Sequence, residues 1–261
     1  MRVERHGAVA SVVLDRPDKR NAMSYDMWTA LERACHDVGD DRSVRVVLVR
    51  GAGGHFCAGA DIGDLLAERP PGEPGFMEVN MAAEHALAGL SRPTVAVIEG
   101  DCIGGGAALA IDCDIRLATR GARFGITPAK LGVVYPTASL ERVVRLLGPS
   151  AKRLLFTGDL VDADEALRIG LVDEVLEPEH LDERVAALCA TLASRSLLTQ
   201  VAVKEMVAAV VEHCTVPEHL ARVWQHEATV SGETAEGVAA FRERRPPVFP
   251  WSGRSGSGGQ S

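Results

Sequence analysis

The sequence predicts an α/β fold, with strand–helix alternation through its first half and a mainly helical last third. Three observations carry this. Short runs rich in Val at residues 9–14 and 44–49, and further strand-like runs at 94–98 and 115–118, recur along the chain, as expected of strands buried between layers. Stretches with apolar residues at helical spacing separate them, which is the layout of a layered sheet with crossover helices. From residue 137 onward helical patterns follow one another with one short strand-like break.

Taken in order, residues 1–13 read as one short strand with charges ahead of it. In 24–38, Met27, Leu31, Ala34, Cys35 and Val38 fall at helical spacing, and Ser24 is placed to cap the first turn. The strand at 44–49 runs into a glycine-containing loop, 51–61. Pro70, Pro71, Gly72, Pro74 and Gly75 make a second loop by composition. The strand at 94–98 ends in Glu99-Gly100, then come a loop to Gly106, an apolar helix over 106–111 and the strand at 115–118. Helices are predicted over 138–147, 150–157, 162–169, 179–193, 199–211, 218–230 and 234–241, with a strand at 171–176. Asp162 and Asp173 fall where cap or turn residues belong. The chain thus divides into a core over 1–195, a helical region over 196–251 suited to packing against another subunit, and a Gly/Ser-rich tail over 252–261 expected to be disordered.

Composition narrows the function classes. The 261 residues suffice for one large domain or a domain with a helical appendage. A net charge of −8 without a basic stripe argues against general nucleic-acid binding. No run approaches the roughly 20 apolar residues of a membrane span. The N-terminus lacks a signal peptide's apolar block, so a cytoplasmic location is the default expectation. Cys35, Cys57, Cys102, Cys113, Cys189 and Cys214 are scattered and read as buried thiols, and no metal site is expected.

Two glycine-containing loops stand out because each follows an apolar strand. One includes Phe56-Cys57-Ala58-Gly59-Ala60-Asp61, the other Gly100-Asp101-Cys102-Ile103-Gly104-Gly105-Gly106. Glycine lets the backbone turn sharply and lets a ligand approach, and a helix start offers unpaired N–H groups. Two such groups converging from separate loops would form an oxyanion hole. The plainer alternative is a pair of tight strand–helix turns. Neither loop contains the P-loop or dinucleotide-binding fingerprint, and no GxSxG elbow is present.

Over almost its whole length the sequence resembles the crotonase (enoyl-CoA hydratase/isomerase) superfamily. The matching pieces, in order, are the stretch from Asp15 to Ser24, Phe56 to Ile62, Gly104-Gly105-Gly106, Cys113-Asp114-Ile115-Arg116, Phe124-Gly125, Leu131-Gly132, Thr157-Gly158, Asp164 to Val172 and Phe241 to Arg245. The resemblance implies a crotonase-like ββα spiral core with a C-terminal helical oligomerisation region, assembled as a homotrimer or dimer of trimers. It implies an acyl-CoA thioester substrate, with coenzyme A as part of the substrate and no other cofactor. The oxyanion hole would use the Ala58 and Gly105 N–H groups, with Gly59 and Gly104 beside them. Ala60 and Asp61 would border the CoA, and Lys19 and Arg20 would face its phosphates unless they form only a solvated basic turn.

The pattern breaks at the acid–base positions. Hydratases of this family resemble one another in two glutamates, whose positions here are Ala108 and Pro128; the dehalogenase branch's aspartate falls near Pro136. Water addition needs a titratable group. The stretch from Phe124 to Tyr135 resembles that of methylmalonyl-CoA decarboxylase, whose histidine is replaced here by Ala60. That resemblance favours decarboxylation of a malonyl-type acyl-CoA, which forms an enolate directly, with Tyr135 near the departing carboxylate. A buried tyrosine bonded to a backbone carbonyl is the plainer alternative, and Thr127 reads as a turn residue at the substrate. The other readings are a hydratase or isomerase using a different acid, such as Glu78 or Glu84, and an acyl-CoA binding protein without catalysis. In the helix over 76–90, which in this family borders the acyl pocket, Met77, Met81 and Ala88 read as the packed face, leaving Glu84 and His85 toward solvent. Asp64 follows the first loop, His55 reads as a loop residue, and the Asp112–Asp114 pair as turn and cap chemistry.

Overall fold

The computed structural model describes residues 1–253, so most of the tail expected to be disordered lies outside the described residues. The strands are β1 (Arg2–His6), β2 (Val9–Leu14), β3 (Val46–Gly51), β4 (Thr94–Ile98), β5 (Asp101–Ile103), β6 (Ile115–Thr119), β7 (Arg123–Gly125), β8 (Val161–Asp162) and β9 (Glu174–Leu176). The helices of the first half are α1 (Tyr25–Asp40), α2 (Ile62–Leu65), α3 (Phe76–Ala88) and α4 (Gly105–Asp112). Those of the second are α5 (Thr137–Leu147), α6 (Ala151–Thr157), α7 (Ala163–Arg168), α8 (Pro178–Ser194), α9 (Leu197–His213), α10 (Glu218–Val230) and α11 (Glu233–Glu243).

One sheet has the order β1-β2-β3-β4-β6-β9, parallel except for the β1–β2 hairpin. A smaller sheet has the order β5-β7-β8. The chain steps from the large sheet to the small one and back: β4 then β5, β6 then β7, β8 then β9. This is the spiral that the resemblance implies. The expected single strand over 1–13 is instead a hairpin, because Gly7 (φ 59°) turns the chain between β1 and β2. The short strands β5, β7 and β8 carry too few residues for a periodic signal, and the predicted strand at 171–176 shrinks to Glu174–Leu176.

Strand alternation explains why the Val-rich runs are apolar throughout. Val47, Val49, Ala96 and Ile98 face the main core, whereas Val46, Leu48, Val95 and Val97 face α8 through Leu181, Val185 and Cys189. A parallel sheet covered on both faces needs apolar residues at both parities. On α1 the expected face is the buried one, joined by Trp28, and the Ser24 side chain accepts from Met27 N–H. Five cysteines are buried as expected, while Cys214 is exposed at the end of α9.

Candidate active site

The two glycine loops meet because the strands before them are neighbours. Cys57 forms a parallel bridge with Cys102, at the level of the small sheet, so the chain leaves that layer twice at adjacent points. Gly59 (φ 109°) and Gly104 (φ 57°) make the exits in a backbone region that a Cβ disfavours. Between the loops and α1, α3 and α5 lies a cavity of about 300 Å³. Ile62, Leu65, Phe76, Met77, Leu131 and Val133 give it an apolar wall.

Of the two amides expected to converge, Gly105 N is the first residue of α4, where no carbonyl of the same helix can accept its N–H. The other assignment is corrected. Ala58 N–H donates to the Arg20 carbonyl at 2.9 Å, and so is engaged within the protein. The candidate in its place is the Ala60 N–H. Met23 N–H donates to Gly59 O and Asp61 N–H to Met23 O, as in a parallel bridge, so Ala60's own N–H points away from Met23. A Cβ built on Gly105 would lie 3.6 Å from Ala60 N, so the two backbones pass closely. Between the two, Gly59 at φ 109° turns the backbone, with Ala58 N–H engaged by Arg20 and Ala60 N–H directed away from Met23.

Ala58, Gly59, Ala60, Gly104, Gly105, Thr127 and Tyr135 all line the cavity. Asp61, Lys19 and Arg20 are not among its lining residues. Asp61 caps α2 by accepting from Gly63 N–H, and Arg16 at 2.7 Å is the main reason that its carboxyl titrates below the usual range. Arg20 pairs with the buried Asp101 at 3.0 Å, Arg123 joins the same carboxylate, and Lys19 is exposed. Among the described residues the cation on the cavity wall is Lys130, which the sequence did not single out.

The absent hydratase carboxylates are absent from the wall as well: Ala108 and Pro128 both line it. A carboxyl is nevertheless present. Glu84 is 2 % exposed and lines the cavity, contrary to the solvent-facing position expected for it. Its Oε1 accepts from Asn80 Nδ2 at 2.9 Å; its Oε2 accepts from Ser139 Oγ at 2.6 Å and lies 3.4 Å from an Arg142 nitrogen. Burial raises its pKa against the opposing effect of those donors. The buried face of α3 is Phe76, Val79, Asn80, Ala83, Glu84 and Leu87, not the Met77–Met81 face. That stripe was legible at spacings of three and four, but two methionines and an alanine made a competing one.

The remaining acids resolve plainly. Glu78 accepts from Gly75 N–H and caps α3, and Asp64 accepts from Tyr25 N–H. His85 is exposed and bonded to Met81 O, and His55 Nδ1 accepts from Asp101 N–H. Asp114 is turn chemistry, accepting from Thr94 N–H and Oγ1. Asp112 is not: it is buried, 2.9 Å from Arg142. The Tyr135 hydroxyl is sequestered with no partner among the described residues, so the backbone bond considered for it does not form. Burial is the first cause raising its pKa, and Glu84 the second. Trp28, also on the wall, has a buried indole N–H without a partner among the described residues.

Comparison with known proteins gives a consistent result. The family model described as enoyl-CoA hydratase/isomerase matches residues 4–252. A crotonyl-CoA hydratase of Syntrophomonas wolfei is 32 % identical over 95 % of this chain and 96 % of its own. A short-chain-enoyl-CoA hydratase of Clostridium acetobutylicum is 36 % identical over 69 % of each chain. The crystal structure of an enoyl-CoA hydratase/carnithine racemase from Magnetospirillum magneticum superposes with a TM-score of 0.88 at 36 % identity, over 95 % of this chain and 94 % of the other.

Proposed function

The chain belongs to the enoyl-CoA hydratase/isomerase family, and from that premise we propose that it hydrates or isomerises an enoyl-CoA thioester, with Glu84 handling the proton. The observation that carries this is a buried carboxyl on the wall of a cavity whose two usual glutamate positions hold Ala108 and Pro128. Proton transfer to or from carbon needs a titratable group in reach of the substrate, and Asn80, Ser139 and Arg142 hold Glu84 in one orientation. The enolate oxygen would be received by the Ala60 and Gly105 N–H groups, the second backed by the positive end of α4. The apolar wall suits an acyl chain, and Lys130 suits the anionic part of CoA. This reading calls for no cofactor beyond the CoA of the substrate. It includes assembly as a homotrimer or dimer of trimers.

Decarboxylation of a malonyl-type acyl-CoA is a second reading, favoured by the unpartnered Tyr135 hydroxyl at the cavity. The names of the relatives above do not include it. Incubation with crotonyl-CoA and with methylmalonyl-CoA, followed by mass spectrometry, separates the two. Hydration or a double-bond shift is expected, and Glu84→Gln should lower it by about 10²- to 10⁴-fold. Retained turnover in that variant would remove Glu84 from the chemistry. Loss of CO₂ abolished by Tyr135→Phe would favour the second reading, and binding without turnover of either thioester would leave only acyl-CoA recognition.

A further inference from the structure

Behind the cavity lies a group that the proposed reaction leaves unused. Asp112 closes α4, is buried, and is not on the cavity wall. One arginine serves it and Glu84 together: an Arg142 nitrogen is 2.9 Å from Asp112 Oδ1 and 3.4 Å from Glu84 Oε2. The two carboxyls differ in what else they receive. Glu84 has Asn80 and Ser139 as further donors, whereas Asp112 Oδ2 is sequestered without a partner among the described residues.

We propose that Glu84 and Asp112 hold a single proton between them across Arg142, making Asp112 a positioning residue that sets the charge of Glu84. Two buried carboxylates against one guanidinium leave an uncompensated negative charge in a medium that solvates it poorly. Like charges so close titrate as a pair, the first ionising readily and the second with difficulty. The retained proton belongs on Asp112. Glu84 accepts hydrogen bonds from three residues, which favour its charged form, and Asp112 sits at the C-terminal end of α4, where the helix dipole opposes a negative charge. The other titratable groups that act on the pair do not supply a second buried cation: Cys35 from α1, Cys113 beside Asp112, Tyr135 ahead of α5, and the exposed His85 on α3. Burial raises both carboxyls, and each feels the other or their common arginine. In turnover the pair would keep Glu84 ionised and balanced by Arg142 until it accepts a proton.

This inference rests on the assignment of Glu84 to proton transfer for its consequence in turnover, but the shared proton is testable without substrate. Infrared difference spectra of the intact protein with ¹³C-labelled Asp or Glu carboxyls should show a protonated carboxyl at neutral pH, carried by aspartate. It should vanish in Asp112→Asn, and also in Glu84→Gln, where Asp112 has Arg142 to itself and ionises. No protonated carboxyl in the wild-type protein would overturn the proposal with no variant needed, as would a signal that survives in both variants. Followed against pH, the aspartate carboxyl should lose its proton at lower pH in Glu84→Gln than in the wild-type protein, by about one unit or more, and an unmoved aspartate titration would confine Asp112 to a structural role. A shared proton alongside full activity of Glu84→Gln would leave the pair standing and remove the proposed chemistry instead.

Discussion

At the scale of single residues, the proposed chemistry turns on a side chain set apart by its environment and not by its type. Glu84 is an ordinary helix glutamate by sequence; Asn80 one turn before it and Ser139 and Arg142 on α5 make it a buried, oriented carboxyl. The same burial has a consequence for stability. Glu84 and Asp112 titrate higher in the folded chain than in the unfolded one. The folded state therefore binds more protons between the ordinary carboxylate range and the raised values, and stability falls as pH rises through that window. Each retained proton contributes a slope of at most about 1.4 kcal/mol per pH unit. Asp112→Asn removes one such group, so the variant should gain on the wild-type protein as pH increases from about 4. Urea midpoints of both proteins across the acid-to-neutral range measure this, and a difference that is flat or reversed in sign would contradict the burial of an unbalanced carboxyl.

At the scale of elements, the proposed oxyanion hole depends on two loops and one helix start. Gly59 turns the first loop so that Ala60, not Ala58, offers its N–H, and Gly105 begins α4 with its own N–H unpaired by the helix. The motif around Phe56 was legible in the sequence. Which amide in it is unengaged was not, because that depends on Arg20 and Met23, more than thirty residues earlier. Gly105→Ala tests this element. The new methyl would sit 3.2 Å from Trp28 Cζ2, a tight contact that presses the start of α4 against α1, and 3.6 Å from Ala60 N, an ordinary one. Turnover of an enoyl-CoA should fall by about 10²-fold, the cost of displacing one donor from its position, while the circular dichroism spectrum stays that of the wild type. Unchanged turnover would argue against an oxyanion at Gly105.

At the scale of the molecule, the spiral buries its main core and leaves an apolar stripe on the last helices. Val203, Val207, Val210 and Val211 are each about half exposed along one face of α9, at the spacing of a face made to be covered. The assembly proposed above would cover such a face, and the native mass should be that of a trimer or hexamer. Val207→Asp with Val210→Asp should shift that mass toward the monomer in light scattering, whereas a mass that is unaffected places the contact elsewhere. Local spacing and residue identity were enough to read the strands β2, β4 and β6, the amphipathic α1, the order of the family's motifs and the loss of both usual glutamates. Which amide is unengaged, which face of α3 is buried, and the meeting of Glu84, Asp112 and Arg142 became visible only in the folded chain. Those facts arise where α3, α4 and α5 converge, and no local pattern encodes the distance between side chains so far apart along the chain.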